Sequence, residues 1–269
     1  MTYAYAFSPT GGTQKIVRAV ATAFDPDVNL VDFTHYDNRM KNGKPQNPSF
    51  GPDDVVFIAV PVYAGRVPNV LISYLKSFAG NGSLGIALLS YGNRHFDDAL
   101  VELVDIMLQS GFTVIAAGAY IAQHAFSEFL AKDRPDELDL KEAQAFGEDI
   151  RKSITKSKTA KSELALYQNW IDQLPGQRPY RPYYQPLNKF GVPYDFKRIR
   201  PLSDDTCIDC GTCKTQCPVP GICIKCQACI KACPVKARHF KDEDFIHHKE
   251  ELEDQYGEQR LENRVWIID

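Results

Sequence analysis

All eight cysteines of this 269-residue chain fall between positions 207 and 233. They stand as Cys207, Cys210, Cys213 and Cys217, then, after five residues, as Cys223, Cys226, Cys229 and Cys233. Each half reads C-x2-C-x2-C-x3-C-P, with Pro218 and Pro234 closing the runs, so one unit occurs twice in tandem. Thiolates at two-residue gaps let a tight loop wrap one cubic iron–sulfur body without strain. Two plainer chemistries compete with that one. Disulfide frameworks belong to secreted chains and scatter their cysteines across the fold, which this clustering opposes. Zinc ribbons use C-x2-C pairs set well apart, and a third cysteine at the next two-residue step is not their habit. A doubled run with both prolines points to two iron–sulfur clusters.

A second group of candidate residues lies near the start. Ser8-Pro9-Thr10-Gly11-Gly12-Thr13 follows a short apolar run and opens into a stretch with apolar residues at helical spacing. Hydroxyls, glycine amides and a helix N-terminus together make an anion cradle. The lysine and spacing of a P-loop are missing, which argues against a nucleoside triphosphate. The other reading of this loop is an ordinary N-cap, with Thr10 or Thr13 satisfying helix amides. Two more loops carry candidates: residues 61–68, with Pro61, Tyr63, Ala64, Gly65 and Arg66, and residues 91–95, with Tyr91, Gly92, Asn93 and Arg94. Gln123 and His124 follow the next apolar run, His124 being either a site residue or a solvated loop histidine.

The elements that must position these loops follow from periodicity. Strands are expected at residues 3–8, 28–33, 54–62, 84–90 and 112–121, and helices at 13–24, 68–78, 95–109 and 138–154. The run Val55, Val56, Phe57, Ile58, Ala59 and Val60 has no alternation, as in a strand covered on both faces. Five strands interleaved with helices predict an α/β fold with a doubly wound parallel sheet. Ligands in such sheets sit beyond the carboxyl ends of the strands, where the three loops above lie. Gly80-Asn81-Gly82-Ser83-Leu84-Gly85 matches G-x-G-x-x-G literally, yet it follows a helix and opens a strand. A dinucleotide fingerprint needs the reverse order, so this stretch reads as a turn.

The cysteine run resembles the two-cluster bacterial ferredoxin domain. That resemblance implies one [4Fe–4S] cluster on Cys207, Cys210, Cys213 and Cys233, and a second on Cys223, Cys226, Cys229 and Cys217. The family usually has a longer segment between its runs, so the β-hairpin found there is expected to be missing or moved. The S-x-T-G-x-T loop resembles the phosphate loop of flavodoxins and implies that Ser8, Thr10, Gly11, Gly12 and Thr13 hold the phosphate of FMN. In flavodoxins the next two loops clasp the isoalloxazine ring. By that resemblance Tyr63 and Tyr91 lie beside the ring, Gly65 and Asn93 bring backbone close, and Pro61, Ala64 and Gly92 complete the loops. Each tyrosine can equally be a half-buried surface residue. No second nucleotide-binding domain is visible, which favours FMN over FAD.

The whole chain resembles the flavodoxin–ferredoxin fusion proteins of anaerobic bacteria and archaea. Its expected layout is a flavodoxin-like FMN domain at 1–157, a Pro/Tyr-rich linker at 158–203, a small α+β two-cluster domain at 204–240 and a helical tail at 241–269. The resemblance implies an electron-transfer protein relaying electrons between two clusters, FMN and a redox partner. Two other readings stay open. One is a ferredoxin-fed reductase of a quinone, nitro compound or disulfide, with Tyr63, Arg66, Arg94 and His124 lining its pocket. The other is a non-catalytic redox sensor. The linker carries 11 Lys/Arg against 5 Asp/Glu over residues 151–205, either a docking strip for an acidic redox partner or a solvated face. Residues 245–268 read as one amphipathic helix.

Composition bounds the rest. A net charge of −3 argues against nucleic acid as a main partner. The longest apolar runs fall well short of the roughly 18 residues a membrane span needs. Met1-Thr2-Tyr3 has no basic region, so no export signal is expected, and reduced cysteines fit the cytoplasm. A homodimer remains an alternative way to bring the flavin and a cluster together.

Overall fold

The protein was analysed as a computed structural model, which describes residues 1–156 and 168–268. The sequence also leads to the expectation of a charged connector over 156–161 and a short helix over 164–174; positions 157–161 of the first and 164–167 of the second lie outside the described residues. The first half builds β1 (Thr2–Ala6), α1 (Gly12–Phe24), β2 (Asn29–Asp32), β3 (Val55–Pro61), α2 (Ile72–Leu75), β4 (Leu84–Tyr91), α3 (Ala99–Gln109), β5 (Thr113–Ile121) and α4 (Glu137–Lys156). The five strands run parallel in the order 2-1-3-4-5. That order places a switch point between β1 and β3, on either side of which the crossovers pass to opposite faces. All eight residues of β4 are buried, as are the five central residues of β3. Unbroken burial explains their unbroken hydrophobicity.

The sheet has six strands rather than the five expected. After α7 (Glu243–Tyr256) the tail turns back, and β8 (Arg264–Ile267) pairs antiparallel with β5, setting Trp266 opposite Ala117. The expected helix over 245–268 therefore ends half-way. Its start is fixed by Asp242, whose side chain accepts from the Phe245 amide at 3.1 Å. Its far end gives way because Arg-Val-Trp-Ile is β-favouring and can cover the bare edge of β5. The helix expected at 68–78 is also broken, into a 3-10 turn at Asn69–Leu71 and the single turn α2. The helix expected from His95 begins at Ala99, because Asp97 has φ 44° and the buried Asp98 carboxylate accepts Gln177 N, Arg181 N and Arg181 Nη1.

The cysteine-rich segment is bracketed by β6 (Leu202–Ser203) and β7 (Arg238–His239), a short antiparallel pair, and holds two one-turn helices, α5 (Thr212–Thr215) and α6 (Ala228–Lys231). The short pairing thus flanks the two runs instead of filling the gap between them. The 80–85 stretch is the turn into β4. Trp170, Ile171 and Leu174 are buried in the core of the first half.

α1 and α4 pack side by side, and Gly147 makes their close approach possible. A Cβ there would collide with the Val20 carbonyl oxygen and stand 3.1 Å from Ala23 Cβ. Helix propensity alone favours Gly147→Ala by about 1 kcal/mol, whereas overpacking costs about 1–3 kcal/mol. Packing is expected to win. Gly147→Ala should lower the urea midpoint followed by far-UV circular dichroism; an unchanged or higher midpoint would show that the helices can separate at little cost.

Candidate functional site

The loop after β1 is held open by its neighbours. Ser8 N donates to Thr34 Oγ1 at 2.8 Å, and Ser8 Oγ accepts the Gln14 amide at 2.9 Å. Gly11, at φ 88°, turns the chain into α1. The capping role expected of Thr10 or Thr13 falls instead to Ser8, three residues upstream of the helix N-cap. Thr13 is buried and shares a 2.7 Å hydrogen bond between its Oγ1 and Ser90 Oγ. The amides of Thr10, Gly12 and Thr13 donate to no acceptor among the described residues. Three free amides at the positive end of a helix can hold a phosphate or carboxylate.

Residues 61–67 form the second wall. Tyr63 and Arg66 exchange backbone hydrogen bonds of 3.0 and 3.1 Å across Ala64 and Gly65, both at positive φ. Arg66 is not free to meet a substrate. Its Nε and Nη2 bind Glu102 at 2.8 and 2.6 Å, and its Nη1 donates to the Arg181 carbonyl at 2.6 Å. The linker clamps the same loop: Tyr184 N donates to the Ala64 carbonyl and Tyr183 Oη to that of Val67. Pro61 is the last residue of β3.

The loop after β4 departs from expectation. Tyr91 is only 5% exposed; its ring packs edge-on against Phe96 and its hydroxyl donates to the Glu262 carbonyl. It stands inside the fold, not beside an open rim, and burial pushes its pKa up to about 12. Asn93, at φ 59° and 1% exposure, spends its side chain on the tail. Its Nδ2 donates to the carbonyls of Tyr256 and Gln259, and its Oδ1 accepts from Leu261 N. Gly92 lies against the His124 ring. Arg94 pairs with Asp97 at 2.7 Å and stacks over the Tyr184 ring.

His124 is partly buried beside the loop after β4. Its Nδ1 accepts the Phe126 amide at 3.2 Å, which puts the proton of the neutral ring on Nε2. Burial, reinforced by His248 and nearby cations, holds its pKa down at about 4. Gln123 is committed to the local turn, donating from its side chain to the Ser127 carbonyl.

The eight thiols divide between two cavities. One, of about 120 Å³, is lined by Cys213, Cys217, Cys223, Cys226 and Cys229. The other, of about 180 Å³, is lined by Cys207, Cys210, Cys213 and Cys233. Cys213 lines both cavities, while Cys217 stands with the second run and Cys233 with the first. Arg238 lines both cavities. Burial pushes the Cys226 thiol up to about 12, so a thiolate there calls for a strongly bound cationic centre. Among the described residues no group of three His, Cys, Asp or Glu converges tightly enough for a single metal ion.

The two halves of the site meet. Tyr63 is half-buried, and its pKa is driven well above the ordinary value by burial and then by Cys226 and Cys223 beside it. Arg39, a residue with no sequence signal, donates to the carbonyls of Phe33, Thr34 and Pro218, the last at 2.8 Å. Ile224 packs against the core of the first half. An aromatic cluster closes the seam: Phe240 stacks on Phe245 at 4.0 Å, and Phe126 and Phe196 pack on Phe245 from the rim loop and the linker. Alternation and helical spacing could not reveal these joins, because each links residues far apart in the chain.

Strand order and site together define a class: a doubly wound α/β domain with a phosphate-ready loop after β1 and a tandem-cysteine lobe seated on the carboxyl rim of its sheet. No protein-family model matches the chain, and no curated protein matches it. Among solved structures it is similar to a flavodoxin from the domain Archaea, at 17% identity and a TM-score of 0.38, over 57% of this chain and 97% of that one. It is also similar to a flavodoxin of Streptococcus pneumonia TIGR4, at 15% identity and a TM-score of 0.37, over 56% of this chain and 97% of that one. Both likenesses are too loose to carry weight, and the strand order of this chain defines the fold without them. No helix of the described residues is long and apolar enough to cross a membrane.

The neutral His124 has a pH signature. Its folded pKa of about 4 lies below the ordinary 6.5, so the unfolded chain binds more protons between those values. Stability is therefore expected to fall as pH drops from 6.5 toward 4, with no contribution above that window. A His124→Gln variant should lose part of this slope in a series of thermal midpoints; an unchanged slope would place the ring in water.

Proposed function

We propose that this chain is an electron-transfer iron–sulfur flavoprotein, with FMN at the carboxyl rim of the sheet and one [4Fe–4S] cluster at each cysteine cavity. The observation that carries the reading is that the eight cysteines line two cavities, Cys217 beside the second run in one and Cys233 beside the first run in the other, with Cys223 and Cys226 near Tyr63. FMN would supply exchange of one or two electrons and each cluster exchange of one, so the pairing converts between the two currencies.

The residues have separate tasks in this reading. The free amides of Thr10, Gly12 and Thr13, with the hydroxyls of Ser8 and Thr10, hold the FMN phosphate. Gly11 shapes their loop. Tyr63, Ala64 and Gly65 on one side, and Gly92, Asn93 and His124 on the other, flank the ring. Asn93 fixes its loop by clamping the tail. His124 stays neutral and offers its Nε2 proton as a hydrogen-bond donor without adding charge. Cys207, Cys210, Cys213 and Cys233 hold the outer cluster, and Cys217, Cys223, Cys226 and Cys229 the inner one. The exposure of Cys207 and Cys210 makes the outer cluster the entry or exit point for a redox protein partner. Arg66 and Arg94, already paired within the chain, favour the relay over a reductase whose pocket would need them free.

Purification without oxygen, followed by iron, acid-labile sulfide and flavin quantitation, tests the reading. About eight irons and one FMN per chain are expected. Zinc without sulfide, or a flavin-free protein that cannot take up FMN, would overturn it. Gly11→Glu should weaken FMN binding at least tenfold while leaving cluster absorption intact, since a carboxylate would enter the cradle meant for phosphate.

A further inference from the structure

The two cysteine runs fold alike, and the one place where their chemistry diverges concerns electron energy. The second run repeats the first at an offset of 16 positions. Asp209 and Lys225 match at φ 49° and 57°, Gly211 and Gln227 match at φ 74° and 66°, and each run ends in a one-turn helix. At the second of these left-handed positions the first run uses glycine. The second run places a glutamine in the same conformation, which a side chain adopts unfavourably. Something must favour keeping that side chain.

Its surroundings supply the reason. Gln227 is 7% exposed and lines the cavity of Cys217, Cys223, Cys226 and Cys229. Its Nε2 is buried and has no hydrogen-bond partner among the described residues. Arg238 lines the same cavity and its side chain reaches the Cys229 thiol; its Nε is buried with no partner among the described residues, and its Nη1 is anchored on Ser203 Oγ at 3.1 Å. A buried N–H without an acceptor is costly, and two in one small cavity mark acceptors that belong there. In the other cavity Gly211 provides no donor. The hydroxyl of Thr212 lies 3.3 Å from Cys210 Sγ at the exposed surface, and the Asp209 carboxylate 3.8 Å from Cys207 Sγ opposes added negative charge.

We propose that Gln227 and Arg238 donate side-chain N–H groups to the sulfur atoms of the cluster held by Cys217, Cys223, Cys226 and Cys229, and so raise its reduction potential. The inference rests on the cluster reading given above. Burial disfavours a group that becomes more negative on reduction; N–H donors aimed at sulfur, one of them cationic, oppose that penalty. The electron gained there is lost by a one-electron iron–sulfur donor, the outer cluster or a protein partner, and no proton moves. The two residues thus keep the inner cluster, the one nearest Tyr63, able to accept what the exposed one receives.

The test is a reductive titration of the whole protein, followed by the paramagnetically shifted cysteine β-proton signals, which report each cluster separately. Gln227→Gly restores the residue of the first run and relieves the backbone. It should lower the equilibrium constant for reducing the inner cluster at least tenfold, about 59 mV for one electron, with the outer cluster unmoved. Arg238→Met should lower both, the inner one more. Unchanged potentials in clusters of full iron content would overturn the inference and leave the cluster reading standing. A wild type without iron and sulfide would overturn the reading itself. Should either variant lose its clusters, pulsed electron paramagnetic resonance on the reduced, 15N-labelled wild type decides. Couplings to side-chain nitrogens of Gln227 and Arg238 support the inference, and their absence rejects it.

Discussion

A guanidinium with almost no access to water joins the two halves of this protein. Arg39 is 2% exposed, and its hydrogen bonds go to the carbonyls of Phe33 and Thr34 at the end of β2 and of Pro218 just after Cys217. The Phe7 ring covers it. A charge so placed tolerates little displacement, because losing any one carbonyl leaves a buried cation short of a partner. The second cysteine run is therefore seated on the sheet by a polar tie. Ile224 and the aromatic cluster around Phe245 add apolar area to the same joint.

From that seating follows an ordering by burial. Cys207 and Cys210 face solvent, Cys226 is buried, and Tyr63 lies beyond it at the sheet rim. The linker and the tail hold the rim in shape: Tyr183, Tyr184 and Arg181 pin the loop of residues 61–67, while Asn93 grips the tail before it adds the sixth strand. Residues that resemblance assigns to a flavin thus serve first as fasteners.

What the chain revealed unaided was what is local. The gathering of the cysteines was legible, since all eight stand within two tandem runs at gaps of two and three residues. The five parallel strands were legible because burial on both faces leaves unbroken apolar runs. The sixth strand was not. Arg-Val-Trp-Ile is four residues long, trails a helix, and becomes a strand only because β5 offers an edge. The contacts that fix Tyr91 and Asn93 were hidden for a related reason: their partners, Glu262, Tyr256, Gln259 and Leu261, come more than 160 positions later. Arg39 sits in a polar stretch that reads as surface, and nothing in the spacing marks Gln227 or Arg238.

Under the proposed function, Tyr63 beside Cys223 and Cys226 would bring a flavin and a cluster together within one chain. Flash reduction of the clusters by a one-electron donor, with the flavin band followed over a range of protein concentrations, tests it directly. A rate constant for flavin reduction that is independent of concentration is the predicted result. A rate that rises in proportion to concentration would mean that electrons cross between molecules, contradicting the arrangement described.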